Sequence, residues 1–194
     1  MAQVGLLGGT FDPVHVAHLV VADQVLDQLG LDEVRLVVTD QSWQKAGSRR
    51  ITDAEKRLAM VAAAVAPFDG LVASDVELRI GGPSYTIETL AVLEKEEPDN
   101  EWSVIVGADA AAGLDTWHRA DELRESREFV VVNRPGSDGG PPPGWRTRAV
   151  EIPSLAVSST EIRGLVAAGR SVRHLVPEQA IHLVGEWGLY REAS

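Results

Sequence analysis

The chain has no cysteine, only three lysines (Lys45, Lys56 and Lys95) and no long apolar run. Without cysteine, disulfide frameworks and cysteine-ligated metals are excluded. That fits a reducing compartment, and a cytoplasmic location is the expectation. No apolar stretch approaches the roughly 18 residues that a membrane-spanning helix needs, so no membrane partner is expected. The N-terminus lacks a basic n-region and a cleavage site, so no signal peptide is expected. Cations are scarce overall. Eighteen Lys and Arg stand against 29 Asp and Glu, for a net charge of -11. A basic nucleic-acid footprint is therefore missing, and no nucleic-acid partner is expected. An acidic chain that binds anions has to gather its few cations locally.

Familiar motifs are missing too. No GxGxxG follows the first apolar run, and no lysine follows a glycine as a P-loop requires. The GxSxG nucleophile elbow and the HExxH zinc-protease spacing are absent. What is present is an ordinary globular balance, 44% apolar and 24% charged over 194 residues. That is enough for a full core, and one domain over 1–194 is expected.

Apolar patterning alternates short runs with helical periods. Residues 4–7 and 34–38 read as buried strands, with a helix between them that stops at Gly30. Thr52-x-x-Glu55 matches a capping box, opening a helix to about residue 66. Residues 71–78 contain a third strand, and a helix is expected over 86–95. Strand four is expected at 102–106, followed by short helices around 110–114 and 119–126. Strands five and six are expected at 129–132 and 149–152. Ser158-x-x-Glu161 is a second capping box, for a helix to about residue 168. Pro177 suits the first turn of a last helix. Residues 135–144 hold four prolines and four glycines and read as a surface loop. No internal repeat is visible. This alternation implies an α/β fold with a doubly wound, mostly parallel sheet. Ligands of such sheets lie beyond the carboxyl ends of the strands.

Three features fall at those ends. The first is Gly8-Gly9-Thr10-Phe11-Asp12-Pro13-Val14-His15-Val16-Ala17-His18. Paired glycines and a helix start make a seat for phosphates, because first-turn N–H groups are unpaired and the macrodipole is positive there. His15 and His18 share a helix face. With Asp12 they offer at most three metal ligands and nothing completes the set, so no protein-held metal is expected. The second is Gly107-Ala108-Asp109. The third is Ser158-Ser159-Thr160-Glu161-Ile162-Arg163, where hydroxyls and a forked cation meet another helix start. An ordinary capped helix with a surface arginine fits that third stretch as well. Lys45 lies in the most basic stretch, 44–50, which equally fits a solvated loop.

The first and third motifs together resemble the HxxH nucleotidylyltransferase superfamily, which implies a Rossmann-like nucleotidylyltransferase fold. Within it the chain looks similar to the bacterial nicotinate-nucleotide adenylyltransferases. Trp43-Gln44-Lys45, Gly82-Pro83-Ser84-Tyr85-Thr86, Asp109 with Trp117, and Arg134-Pro135-Gly136 extend the likeness over nearly the whole chain. The resemblance implies adenylyl transfer from ATP to nicotinate mononucleotide in NAD biosynthesis. It implies catalytic roles for His15, His18 and Arg163. It implies ATP contacts from Gly8, Gly9, Thr10, Phe11, Lys45, Gly107, Asp109, Ser159 and Thr160. Thr86, Trp117 and Arg134 would meet the acceptor, and Mg²⁺ would arrive with ATP. Thr86 and Asp109 also fit helix caps, and Trp117 a core aromatic. Trp43 has no derivable role. Ala17 stands where the family usually has glycine, so its methyl is expected to crowd the nucleotide slightly. Asp40 is expected to add negative charge near the phosphates. Other acceptors (nicotinamide mononucleotide, pantetheine phosphate) and a catalytically silent nucleotide-binding module stay open, as does a homo-oligomer.

Overall fold

A computed structural model describes residues 1–40, 51–134 and 139–191. Lys45, Trp43 and the 135–138 part of the Pro/Gly-rich stretch lie outside the described residues. Six strands form one all-parallel sheet: β1 (Gln3–Gly9), β2 (Glu33–Val38), β3 (Leu71–Ser74), β4 (Glu101–Gly107), β5 (Glu128–Asn133) and β6 (Arg146–Glu151). Their order is β3-β2-β1-β4-β5-β6. The chain winds outward from β1 to β3, then returns to lay β4 on the other side of β1. The carboxyl ends of β1 and β4 diverge there, at the topological switch point.

The central strands are apolar on both faces, which is why they read as continuous apolar runs. Leu7, Ile105, Val130 and Val132 pack on one face with Met60, Val61 and Ile162. Val4, Leu6, Val104, Phe129 and Val131 pack on the other with Leu90, Leu93 and Trp102. Among the described residues eight α-helices cover the sheet: α1 (Val16–Leu29), α2 (Ala54–Val65), α3 (Val76–Ile80), α4 (Thr86–Glu96), α5 (Ala108–Ala111), α6 (Ala120–Ser126), α7 (Ser159–Ala167) and α8 (Glu178–Glu186). Among the described residues, no helix is long and apolar enough to cross a membrane.

Two local expectations need correction. Asp53, not Thr52, caps α2, its carboxylate accepting from the Glu55 N–H at 3.0 Å. Thr52 is instead tied inward through its carbonyl, described below. The third strand stops at Ser74, and residues 76–80 coil into α3. A 3-10 turn, Leu114–Thr116, follows the four-residue α5. Gly30 ends α1 in the left-handed region at φ 61°, as its placement after the periodic run suggests. Ser158 and Glu161 do form the reciprocal capping box of α7.

Candidate active site

The site is built where β1 runs out. Phe11 follows with a positive φ of 47°, and its ring folds back over Gly9. A Cβ on Gly9 would lie 2.7 Å from that ring, so glycine is required there. A Cβ on Gly8 or Gly107 would meet nothing within 4 Å. Both backbones therefore stay open to a ligand. The buried Phe11 ring also meets His18 edge-on, with centroids 4.9 Å apart. Phe11 thus serves the site as a prop under the histidines.

His15 is the N-cap of α1 in extended conformation. Its N–H donates to His18 Nδ1 at 3.2 Å, and the His18 N–H donates to the His15 carbonyl at 2.9 Å. The rings stack with centroids 3.7 Å apart. Because His18 Nδ1 accepts a hydrogen bond, a neutral His18 carries its proton on Nε2, as a donor. His15 is 5% exposed, and its Nδ1 is buried without a partner. Burial first, and the Arg134 cation second, push the His15 imidazole down to about 4. His15 is therefore uncharged at neutral pH. Ala17 is buried in the core. Its methyl does not line the cavity beside the histidines.

The distant third motif closes on this loop. Ser159 Oγ donates to the Pro13 carbonyl at 2.9 Å, and Arg163 Nη1 donates to the Asp12 carbonyl at 2.7 Å. Arg163 Nη2 also donates to Thr160 Oγ1 at 3.0 Å. Two helix N-termini, α1 and α7, thus face one spot with two imidazoles, two hydroxyls and a guanidinium. Arg134, at the end of β5, is exposed and close enough to act on His15 electrostatically.

Beside this cluster lies a cavity of about 300 Å³ at the switch point. Gly8, Gly9, Thr10, Thr86, Gly107 and Trp117 all line it. Asp109 does not; it is exposed two residues beyond Gly107. Thr86 is the first residue of α4, whose N-cap is Tyr85, so Thr86 is not the cap. Trp117 is half-buried and meets Phe129 edge-on at 6.0 Å. His118 lies beside it, stacked on Tyr85 at 4.3 Å.

Three residues that the sequence reading passed over hold this assembly. Arg57 of α2 is 1% exposed. It donates to the carbonyls of Thr10, Thr39 and Thr52, each at 2.8 Å, and to that of Asp40 at 3.3 Å. A signal was available, since Arg57 falls with Met60, Val61 and Ala64 on the apolar face of its helix. Tyr190 donates its hydroxyl to Asp12 Oδ1 at 2.6 Å, and burial pushes that phenol up. Nothing in the sequence marks Tyr190. Glu77, on α3, reaches the cavity lining. Asp40 is tied to the loop before α4. Its carboxylate accepts from the Gly82 N–H at 3.0 Å, and its own N–H donates to Ser84 Oγ at 3.1 Å.

The family described as cytidylyltransferase-like matches residues 6–165. A relative from Exiguobacterium sibiricum, named "Probable nicotinate-nucleotide adenylyltransferase", is 43% identical, covering 97% of this chain and 98% of its own. One of the same name from Streptomyces coelicolor is 42% identical over 95% and 99% of the two chains. This chain belongs to the nicotinate-nucleotide adenylyltransferase family. The fold agrees. The Plasmodium falciparum nicotinic acid mononucleotide adenylyltransferase, solved with NaAD, matches at a TM-score of 0.79, covering 98% of both chains at 17% identity.

Proposed function

We propose that the chain transfers the adenylyl group of ATP to nicotinate mononucleotide, a step of NAD biosynthesis. One observation carries this reading. Ser159 and Arg163 bond to the backbone of Pro13 and Asp12, bringing both phosphate-binding motifs to one spot beside the switch-point cavity. An oxygen of the acceptor's 5′-phosphate attacks the α-phosphorus of ATP. The bond from that phosphorus to the β-phosphate oxygen breaks, and pyrophosphate leaves with its electron pair. A phosphomonoester has its second pKa near 6, so at neutral pH the nucleophile is already mostly a dianion. No general base is required. The protein's work is alignment and offsetting of charge.

The roles follow from position. His18 Nε2–H and Arg163 donate to the reacting phosphates, and His15 supplies a buried nitrogen beside them. Gly8, Gly9 and Thr10 approach the α-phosphate through their backbone, and any Phe11 contact is through its backbone too. Ser159 and Thr160 hold the β- and γ-phosphates, with Lys45 as a further contact. Gly107 and Asp109 meet the adenosine ribose. Thr86 and Trp117 receive the pyridine ring, and Arg134 the acceptor phosphate. Mg²⁺, carried with the nucleotide, would supply charge neutralisation at its phosphates. Among the described residues no group of three or more His, Cys, Asp or Glu is placed to hold a metal ion. We place the reaction in the cytoplasm, in one domain spanning the chain.

The test is pyrophosphate release with ATP and three acceptors: nicotinate mononucleotide, its nicotinamide counterpart and pantetheine phosphate. The acid is expected to lead in kcat/KM by about tenfold or more. Turnover of another acceptor but not the acid overturns the substrate. ATP binding with no release from any acceptor makes the chain a silent binding module.

A further inference from the structure

Glu77 stands apart in the cavity. Among the described residues it is the one acidic side chain in the lining, and no described lysine or arginine lines the cavity with Glu77. The other titratable lining groups are Tyr85 and His118. Glu77 is 8% exposed. Its Oε1 accepts from Thr89 Oγ1 at 2.9 Å. Oε2 is buried and has no partner. Thr89 sits one turn into α4 from Thr86, so the carboxyl lies beneath the helix end assigned to the acceptor's pyridine ring.

We propose that Glu77 determines the choice between a pyridine carboxylate and the matching amide, its protonated Oε2 donating a hydrogen bond to the acceptor's ring carboxylate. This rests on the functional reading above and deepens it. The argument is one of charge. Among the described residues a ring carboxylate bound here meets no lysine or arginine, only the N-terminus of α4 and His118. An ionised Glu77 would face it as a like charge in a poorly solvated cavity. Two carboxyl groups sharing such a site hold one proton between them. Asp40, at the end of β2, adds a negative charge nearby, and burial itself pushes the Glu77 carboxyl up from 4.5. Thr89 on α4 and Ser84 and Tyr85 on the preceding loop present hydroxyls. Across the cavity, among the described lining residues, His118 is the only group able to become cationic. The neutral acid then makes a charge-assisted bond to a carboxylate, stronger than its bond to a neutral amide. Once Glu77 loses its proton, it repels the acid and accepts an N–H from the amide. Preference for the acid therefore falls as pH rises.

The experiment measures kcat/KM for nicotinate mononucleotide and for nicotinamide mononucleotide from about pH 6 to pH 9, in the wild-type protein and in Glu77→Gln. The wild-type acid-to-amide ratio is expected to fall by about tenfold or more across that range. In Glu77→Gln, whose amide is a permanent neutral donor, the ratio is expected to be flat. A slope retained in Glu77→Gln assigns the effect to His118 and overturns the proposal. Equal loss with both acceptors at an unchanged ratio makes Glu77 structural and also overturns it. A second measurement needs no variant. Calorimetric binding near pH 8 in buffers of differing ionisation heat is expected to show about one more proton taken up with the acid than with the amide. Equal uptake overturns the proposal. Absence of turnover with either mononucleotide overturns the functional reading, and this inference with it. Turnover at a flat wild-type ratio overturns this inference alone.

Discussion

His15 and His18 stack on one another, but burial treats them differently. His15 is the deeper, and its imidazole is held down to about 4 against an ordinary 6.5. The unfolded chain therefore takes up a proton at His15 before the folded one does. Stability falls as pH drops from 6.5 to about 4, and the loss is complete below that. The gap corresponds to about 3 kcal/mol. Denaturant unfolding at about pH 4 and pH 7 is expected to show that loss in the wild type and to show it shrunk by that amount in His15→Gln. An identical pH dependence in the two proteins would rule out a depressed His15. At this scale the sequence said a good deal about types and spacing. It placed both imidazoles on one helix face and an arginine and hydroxyls at another helix start. It could not say that His15 is neutral, because that depends on burial and on Arg134 arriving from β5.

The elements of the site are joined by buried side chains more than by the sheet itself. Arg57 is the strongest case. It reaches from α2 to the turn after β1, the end of β2 and the segment before α2, and its donors satisfy four carbonyls. Truncating it leaves buried acceptors unpaired, a cost of about 3 kcal/mol or more. Arg57→Ala is expected to lower stability by that amount and to raise KM for ATP, because Thr10 and Thr39 both lose their anchor. Arg57→Lys is expected to rescue little, since one ammonium cannot reproduce a fork. A Lys variant with wild-type stability and KM would contradict this. Central strands were legible as apolar runs because both of their faces are buried. The ends of α2 and β3 were less so. Thr52 and Asp53 are adjacent capping residues, and only their backbone angles decide between them. Val76, Leu78 and Ile80 alternate like a strand but form α3. Tyr190 meets Asp12 across 178 residues of chain, a pairing no local pattern carries.

Over the whole molecule, an acidic chain of net charge -11 collects Arg134, Arg163, two imidazoles and two helix N-termini at one sheet edge. The order β3-β2-β1-β4-β5-β6 places the open backbones of Gly8 and Gly9 on β1 beside that of Gly107 on β4. The fold class followed from alternating patterns, but convergence of the motifs follows from the winding direction, which residues 158–163 do not reveal on their own. The central claim is that this edge moves the α-phosphoryl group and its adenosine. It is tested most directly with ATP labelled at the α-phosphorus and nicotinate mononucleotide as acceptor. The label is expected in the dinucleotide, with one pyrophosphate released for each label transferred, and His18→Ala is expected to slow this by about 100-fold or more. Label remaining in ADP or AMP, or a His18→Ala rate within about threefold of wild type, would contradict the account.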